Sequence, residues 1–102
     1  MKTIKTNVTI NNFKGEPLKN GEEILTTGIV ISAVLGGRVS NPTLGWQLGK
    51  KFATDTEVEL KAEDVVFIKK ELENNAANDG FGAIVIGQVI DMLQSKEVAV
   101  NK

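Results

Sequence analysis

Between Glu57 and Leu72 the spacing of apolar residues changes: Val58 and Leu60 alternate with acids, and from Ala62 onward Val65, Ile68 and Leu72 recur every three or four positions. Alternation places side chains on opposite faces of a strand, whereas a repeat near 3.6 stacks them on one face of a helix. The chain therefore mixes the two. The helix from Ala62 is the most sharply patterned in the sequence. Val65, Ile68 and Leu72 read as inward, and Lys69, Lys70, Glu71 and Glu73 as outward. Glu63 and Asp64 occupy its first turn, where acids suit the positive end of the helix dipole.

The same test applied upstream gives a strand first. Ile4, Thr6, Val8 and Ile10 share one face and Thr3, Lys5, Asn7 and Thr9 the other, so Thr3 to Phe13 reads as half-buried strand. Lys14-Gly15 and Asn20-Gly21 are turn formers. Pro17 between them has no N–H for a ladder, so a returning strand near Glu16 to Leu18 is short or at an edge. A hairpin results, to which Glu57 to Leu60 can add a brief strand.

Thr26 or Thr27 can cap a short, buried helix carrying Val30, Ile31, Val34 and Leu35, with Gly36-Gly37 as its stop; the β-branched run Ile29 to Ile31 leaves a strand equally open. Ser40-Asn41-Pro42 starts a second helix, on which Leu44, Leu48 and Phe52 stack and which ends near Thr54, with Lys50 and Lys51 toward its negative end. Asn74 to Gly80 reads as a polar loop. A last helix, about Gly82 to Gln94, carries Val85, Ile86, Val89, Ile90 and Leu93. Gly87 inside it costs about 1 kcal/mol relative to alanine, which predicts a neighbour packed close against its backbone. The expectation is one compact α+β domain over residues 1–95, an N-terminal β-hairpin packed on three to four helices, with 96–102 a frayed tail.

A length of 102 residues with 41% hydrophobic content suits one core. Cysteine is absent, so neither a disulfide nor a thiolate metal site can form. The alternating N-terminus does not read as a signal peptide. The longest apolar stretches, Ile29 to Leu35 and Phe81 to Ile86, fall well short of the roughly 20 residues that span a bilayer, so a cytoplasmic protein without membrane contact is expected. Net charge is −1, but residues 1–56 hold seven basic against four acidic residues and 57–102 five against nine. Such a dipolar chain can associate head to tail.

Histidine, cysteine and tyrosine are all missing, which removes the usual neutral-pH base, the thiol nucleophile and the nitrogen and sulfur ligands of zinc. Asp55, Glu57 and Glu59 alternate like the start of a calcium loop, but Leu60 stands where that loop needs glycine. Gly80, Gly82 and Gly87 lack both the spacing and the Lys-Ser or Lys-Thr pair of a phosphate cradle. No cofactor, metal or small-molecule ligand is expected. Trp46, the only tryptophan, is offset from the Leu44-Leu48-Phe52 stripe, which leaves it either a partner anchor or an edge of the core. Lys50-Lys51 and Lys69-Lys70 would join into a basic patch if their helices were neighbours, although the acids Glu63, Asp64, Glu71 and Glu73 oppose phosphate.

The segments VTINNFKGEPLKNGEEILTTGIVISAVL, LGWQLGKKFATDTEVELKAEDVVFIKKELENN and IVIGQVIDML, in that order from Val8 to Leu93, resemble small bacteriophage and prophage accessory proteins. Ile29 to Ile31 is more apolar than that pattern, and Asn75 to Asp79 reads as an insertion. The resemblance supplies no catalytic residues. It implies a bacterial host cytoplasm and action through protein contacts. The function expected is a non-catalytic protein-binding module, acting as a homo-oligomer or as a host-factor binder, with Trp46, Lys50 and Lys51 as its contact residues. The rivals are a phage DNA-binding regulator and a hydrolase built on Asp55, Glu57, Glu59, Glu63 and Asp64.

Overall fold

In the computed structural model, residues 2–75 and 81–94 are described. They form β1 (Lys2–Lys5), β2 (Lys19–Asn20), β3 (Glu23–Ile24), α1 (Thr27–Leu35), α2 (Pro42–Thr54), β4 (Glu57–Leu60), α3 (Ala62–Asn75) and α4 (Ala83–Gln94). The fold is α+β, a β-rich N-terminal third against four helices. The expected tail, 96–102, and most of the expected loop lie outside the described residues. Asn74 and Asn75 do not belong to that loop, because α3 runs through them.

The long N-terminal strand is broken by a change of partner. β1 pairs antiparallel with β4, setting buried Ile4 opposite buried Val58 and Lys5 opposite Glu57. At Thr6 the chain crosses over: its N–H donates to Thr56 O and its hydroxyl to Asp55 O, while its carbonyl accepts from Gly28 N–H. Beyond it, Val8 O accepts from Thr27 N–H and Thr9 bridges Thr26. A continuous ladder would need one neighbour throughout; this arm meets two in succession, and its regular pairing ends where they change.

Further along, three segments close a ring of backbone hydrogen bonds. Ile10 N–H donates to Leu25 O, Leu25 N–H to Leu18 O and Leu18 N–H to Ile10 O, each at 2.9 Å. All three side chains turn to the core. Pro17 pairs with Asn11 through a single bridge, which its missing N–H permits, and Gly21 supplies the positive φ of +70° at the β2–β3 turn.

The ambiguous segment Ile29 to Ile31 is helical. Thr26 caps α1 through its side chain, which accepts from Ile29 N–H, and the helix packs against α2, α3 and α4. A helix covered on so many sides can be apolar nearly all round. Two glycines let its neighbours close in. A Cβ on Gly28 would stand 2.6 Å from Phe52 O and 2.8 Å from Thr6 Cβ, and one on Gly45 would stand 2.9 Å from Leu35 O. α2 begins as expected, with Asn41 capping Leu44 N–H and Pro42 in the first turn. Phe52, Ile31, Leu60, Ile68, Leu72 and Leu93 make the centre of the core. Among the described residues no helix is long and apolar enough to cross a membrane.

Gly87 corrects one expectation: among the described residues nothing lies within 4 Å of the place its Cβ would take, so no close neighbour offsets its cost. It sits on the exposed face of α4. The two glycines Gly28 and Gly87 therefore predict opposite outcomes in urea titrations. Gly28→Ala lowers stability by about 1–3 kcal/mol through overpacking against backbone, and Gly87→Ala raises it by about 0.4–1 kcal/mol.

Candidate functional site

α2 buries Leu48 and Phe52 and leaves Trp46, Gln47, Lys50 and Lys51 exposed. Trp46 is 66% exposed, and four residues on, one helical turn away, Lys50 places its Nζ 5.1 Å from the centre of the indole system. This cation–π pair contributes about 0.5–1 kcal/mol at an exposed position. No acidic residue lies within α2, whose sequence is PTLGWQLGKKFAT. Gln47, Lys50, Lys51, Thr54 and Asp55 line a shallow depression of about 440 Å³. The face thus offers a large amphipathic ring, two ammonium groups and a carboxamide on a rigid helix. It can bind an anionic group next to an apolar one.

Of the residues singled out in the sequence, Trp46 and Lys50 come together here, and Lys51 shares the depression with Lys50 but is turned away from the ring round the helix. Lys69 and Lys70 do not join them, because α2 and α3 each pack against α1 and not extensively against each other. Asp55, Glu57, Glu59 and Glu63 are all exposed, and Asp64 turns back to accept from Lys61 N–H at 3.1 Å. Among the described residues no three His, Cys, Asp or Glu side chains gather into a metal-binding group. Gly80 lies outside the described residues, and Gly82 has open space where a Cβ would stand.

Glu71 is the correction to the outward face of α3. It is 2% exposed, and its carboxyl accepts from Ser40 N–H at 3.1 Å, from the Ser40 hydroxyl at 3.0 Å and from the Asn75 amide at 3.0 Å. These bonds fix the α1–α2 connection to α3 just before the α2 cap, so Glu71 steadies the base of the Trp46 helix. The signal in the sequence was only a charge on a helix; its partner stands 31 residues away.

Phe13 was also missed. It is 94% exposed at the tip of the hairpin, held by the side chain of Asn12, whose Oδ1 accepts from Lys14 N–H and Glu16 N–H at 2.8 and 3.0 Å. Gly15 completes the turn at φ +84°. The run Asn12-Phe13-Lys14-Gly15 carries that turn signal, and the alternation of the arm sets position 13 on the face of Thr3, Lys5, Asn7 and Thr9. A third side chain, Gln88 of α4, braces this hairpin by accepting from Asn11 N–H and donating to Asn11 O. Next to the Thr6 crossing lies a groove of about 410 Å³, lined by Gly28, Ile29, Phe52, Ala53 and Asp55 among others.

No protein-family model, curated protein or solved structure matches the chain.

Substitution separates the buried brace from the exposed face. Glu71→Ala leaves Ser40 N–H without its partner and lowers stability in chemical denaturation by about 2–3 kcal/mol. Trp46→Ala lowers it by less than about 1 kcal/mol.

Proposed function

We propose that this chain is a non-catalytic protein-binding module that docks a partner on the exposed face of α2. Trp46 is the anchor, and Lys50 and Lys51 engage carboxylates beside it. The observation that carries this reading is Trp46 itself, two-thirds exposed on a braced helix with a lysine held over its ring. Exposed tryptophan and its ring of polar neighbours match the make-up of binding hot spots, where the ring is desolvated and the charges sit at the rim. The missing imidazole, thiol and phenol leave shape and surface as the main resources of the chain. The resemblance to phage and prophage accessory proteins directs the search for the partner to phage and bacterial host proteins.

A nucleic-acid partner is the weaker reading. The two lysine pairs are on helices that do not merge into one patch, and the net charge of −1 gives no long-range attraction to phosphate.

Affinity capture from host lysate with the wild type, Trp46→Ala and the double variant Lys50→Glu, Lys51→Glu tests the proposal. A protein retained by the wild type is lost from both variants, and raising salt weakens its retention. Retention of the same protein by Trp46→Ala, or a mobility shift of random duplex at low salt, contradicts it.

A further inference from the structure

We propose that Met92 is an oxidation-sensitive latch: a peroxide that converts its thioether to the sulfoxide loosens the N-terminal arm from the first turn of α1. The proposal uses none of Trp46, Lys50 and Lys51 and stands apart from the partner site on α2.

α4 reaches the arm through two side chains one helical turn apart. Gln88 accepts from Asn11 N–H and donates to Asn11 O. Four residues on, Met92 Sδ accepts from the Thr27 hydroxyl at 3.2 Å, and the same hydroxyl donates to Val8 O at 3.3 Å. Thr27 is fully buried, and its N–H is also bonded to Val8 O. One hydroxyl thus joins three segments: the arm at Val8, the start of α1 and the last turn of α4. Met92 itself is half-buried, which leaves it open to a molecule as small as hydrogen peroxide although its sulfur is built into the junction.

The composition concentrates sulfur oxidation on this residue. The chain has no cysteine and two methionines, Met1 and Met92, so Met92 carries the sole sulfur atom among the described residues. In the reaction a sulfur lone pair takes one oxygen from the peroxide. The S–O bond forms as the O–O bond breaks, sulfur is oxidised by two electrons, and the second oxygen leaves as water.

The product does not suit the place the thioether occupies. Oxygen on the lone pair that faces Thr27 does not fit, because an O–H···O bond alone takes about 2.7 Å and the sulfur stands 3.2 Å from the hydroxyl. Oxygen on the other lone pair draws electron density from the sulfur and weakens it as an acceptor. It also sets a polar group on the side of α4 where Val89, one turn back, is fully buried. By either route the last turn of α4 withdraws from Thr27, and the arm keeps only its backbone bonds and the Gln88 clasp.

Hydrogen peroxide treatment, followed by peptide mass mapping and amide hydrogen exchange, tests the latch. One oxygen is added at Met92, and exchange of the Thr27 and Gly28 N–H groups, both bonded to the arm, accelerates by about tenfold or more while the Ile68 and Leu72 amides of α3 keep their rates. Methionine sulfoxide reductase restores the original exchange. Met92→Leu keeps an apolar side chain of similar volume, and its exchange does not respond to peroxide. A Met92 that stays unoxidised where free methionine is fully converted overturns the proposal. So does a sulfoxide that leaves Thr27 and Gly28 exchange unchanged, an equal acceleration in every helix, or a response of those two amides that persists in Met92→Leu.

Discussion

The first turn of α1 is packed so closely that one position admits no side chain, and the assembly of strands and helices depends on that approach. Thr6 lies against Gly28 from the strand side and the carbonyl of Phe52 from the helix side. Two backbone hydrogen bonds, Thr27 N–H to Val8 O and Gly28 N–H to Thr6 O, use donors that a helix N-terminus otherwise leaves unpaired. The N-terminal arm thus serves as an external cap for α1. The helix it caps is then covered by α2, α3 and α4, so this junction ties the N-terminal arm to all of the other helices.

The same junction places the surfaces on which function is proposed. Phe52, whose carbonyl touches Gly28, is on α2, and its inward position sets the rotation of that helix. With Leu48 and Phe52 inside, Trp46 and Lys50 face solvent from the other side of the same helix, and Lys51 is exposed at the margin of the buried stripe. The Glu71–Ser40 bonds hold the start of α2 from a different direction. A shallow groove lined by Ile29 and Ala53 among others runs beside the Gly28 contact.

What was legible in the sequence was local. The Asn41-Pro42 start and the Leu44-Leu48-Phe52 stripe give α2 the bounds Pro42–Thr54, and the change of period near Lys61 separates β4 from α3. The choice between helix and strand at Ile29 to Ile31 was not legible, because β-branched residues suit either; the Thr26 cap and burial from several sides decide it. Nor was the pairing of β1 with β4, whose residues are far apart along the chain and are brought together by tertiary packing. Glu71 misled for a related reason: periodicity assigns a charge to solvent, and only the fold brings Ser40 to meet it. At the candidate site, the offset of Trp46 from the apolar stripe was visible, whereas its exposure depends on which elements cover α2. The outward side of Phe13 was legible, since alternation sets position 13 with Thr3, Lys5, Asn7 and Thr9; its place in a turn was not, because the alternating arm reads as strand up to it.

Amide hydrogen exchange in the native protein tests the junction most directly, because the Thr27 and Gly28 N–H groups are bonded to the arm and not to their own helix. If the arm caps α1 as an integral part of the core, both amides exchange only through global unfolding, at the rate of the buried centre of α1. Exchange at both positions as fast as in the exposed β2–β3 turn would contradict this, and would mean that the arm detaches while the helices stay folded.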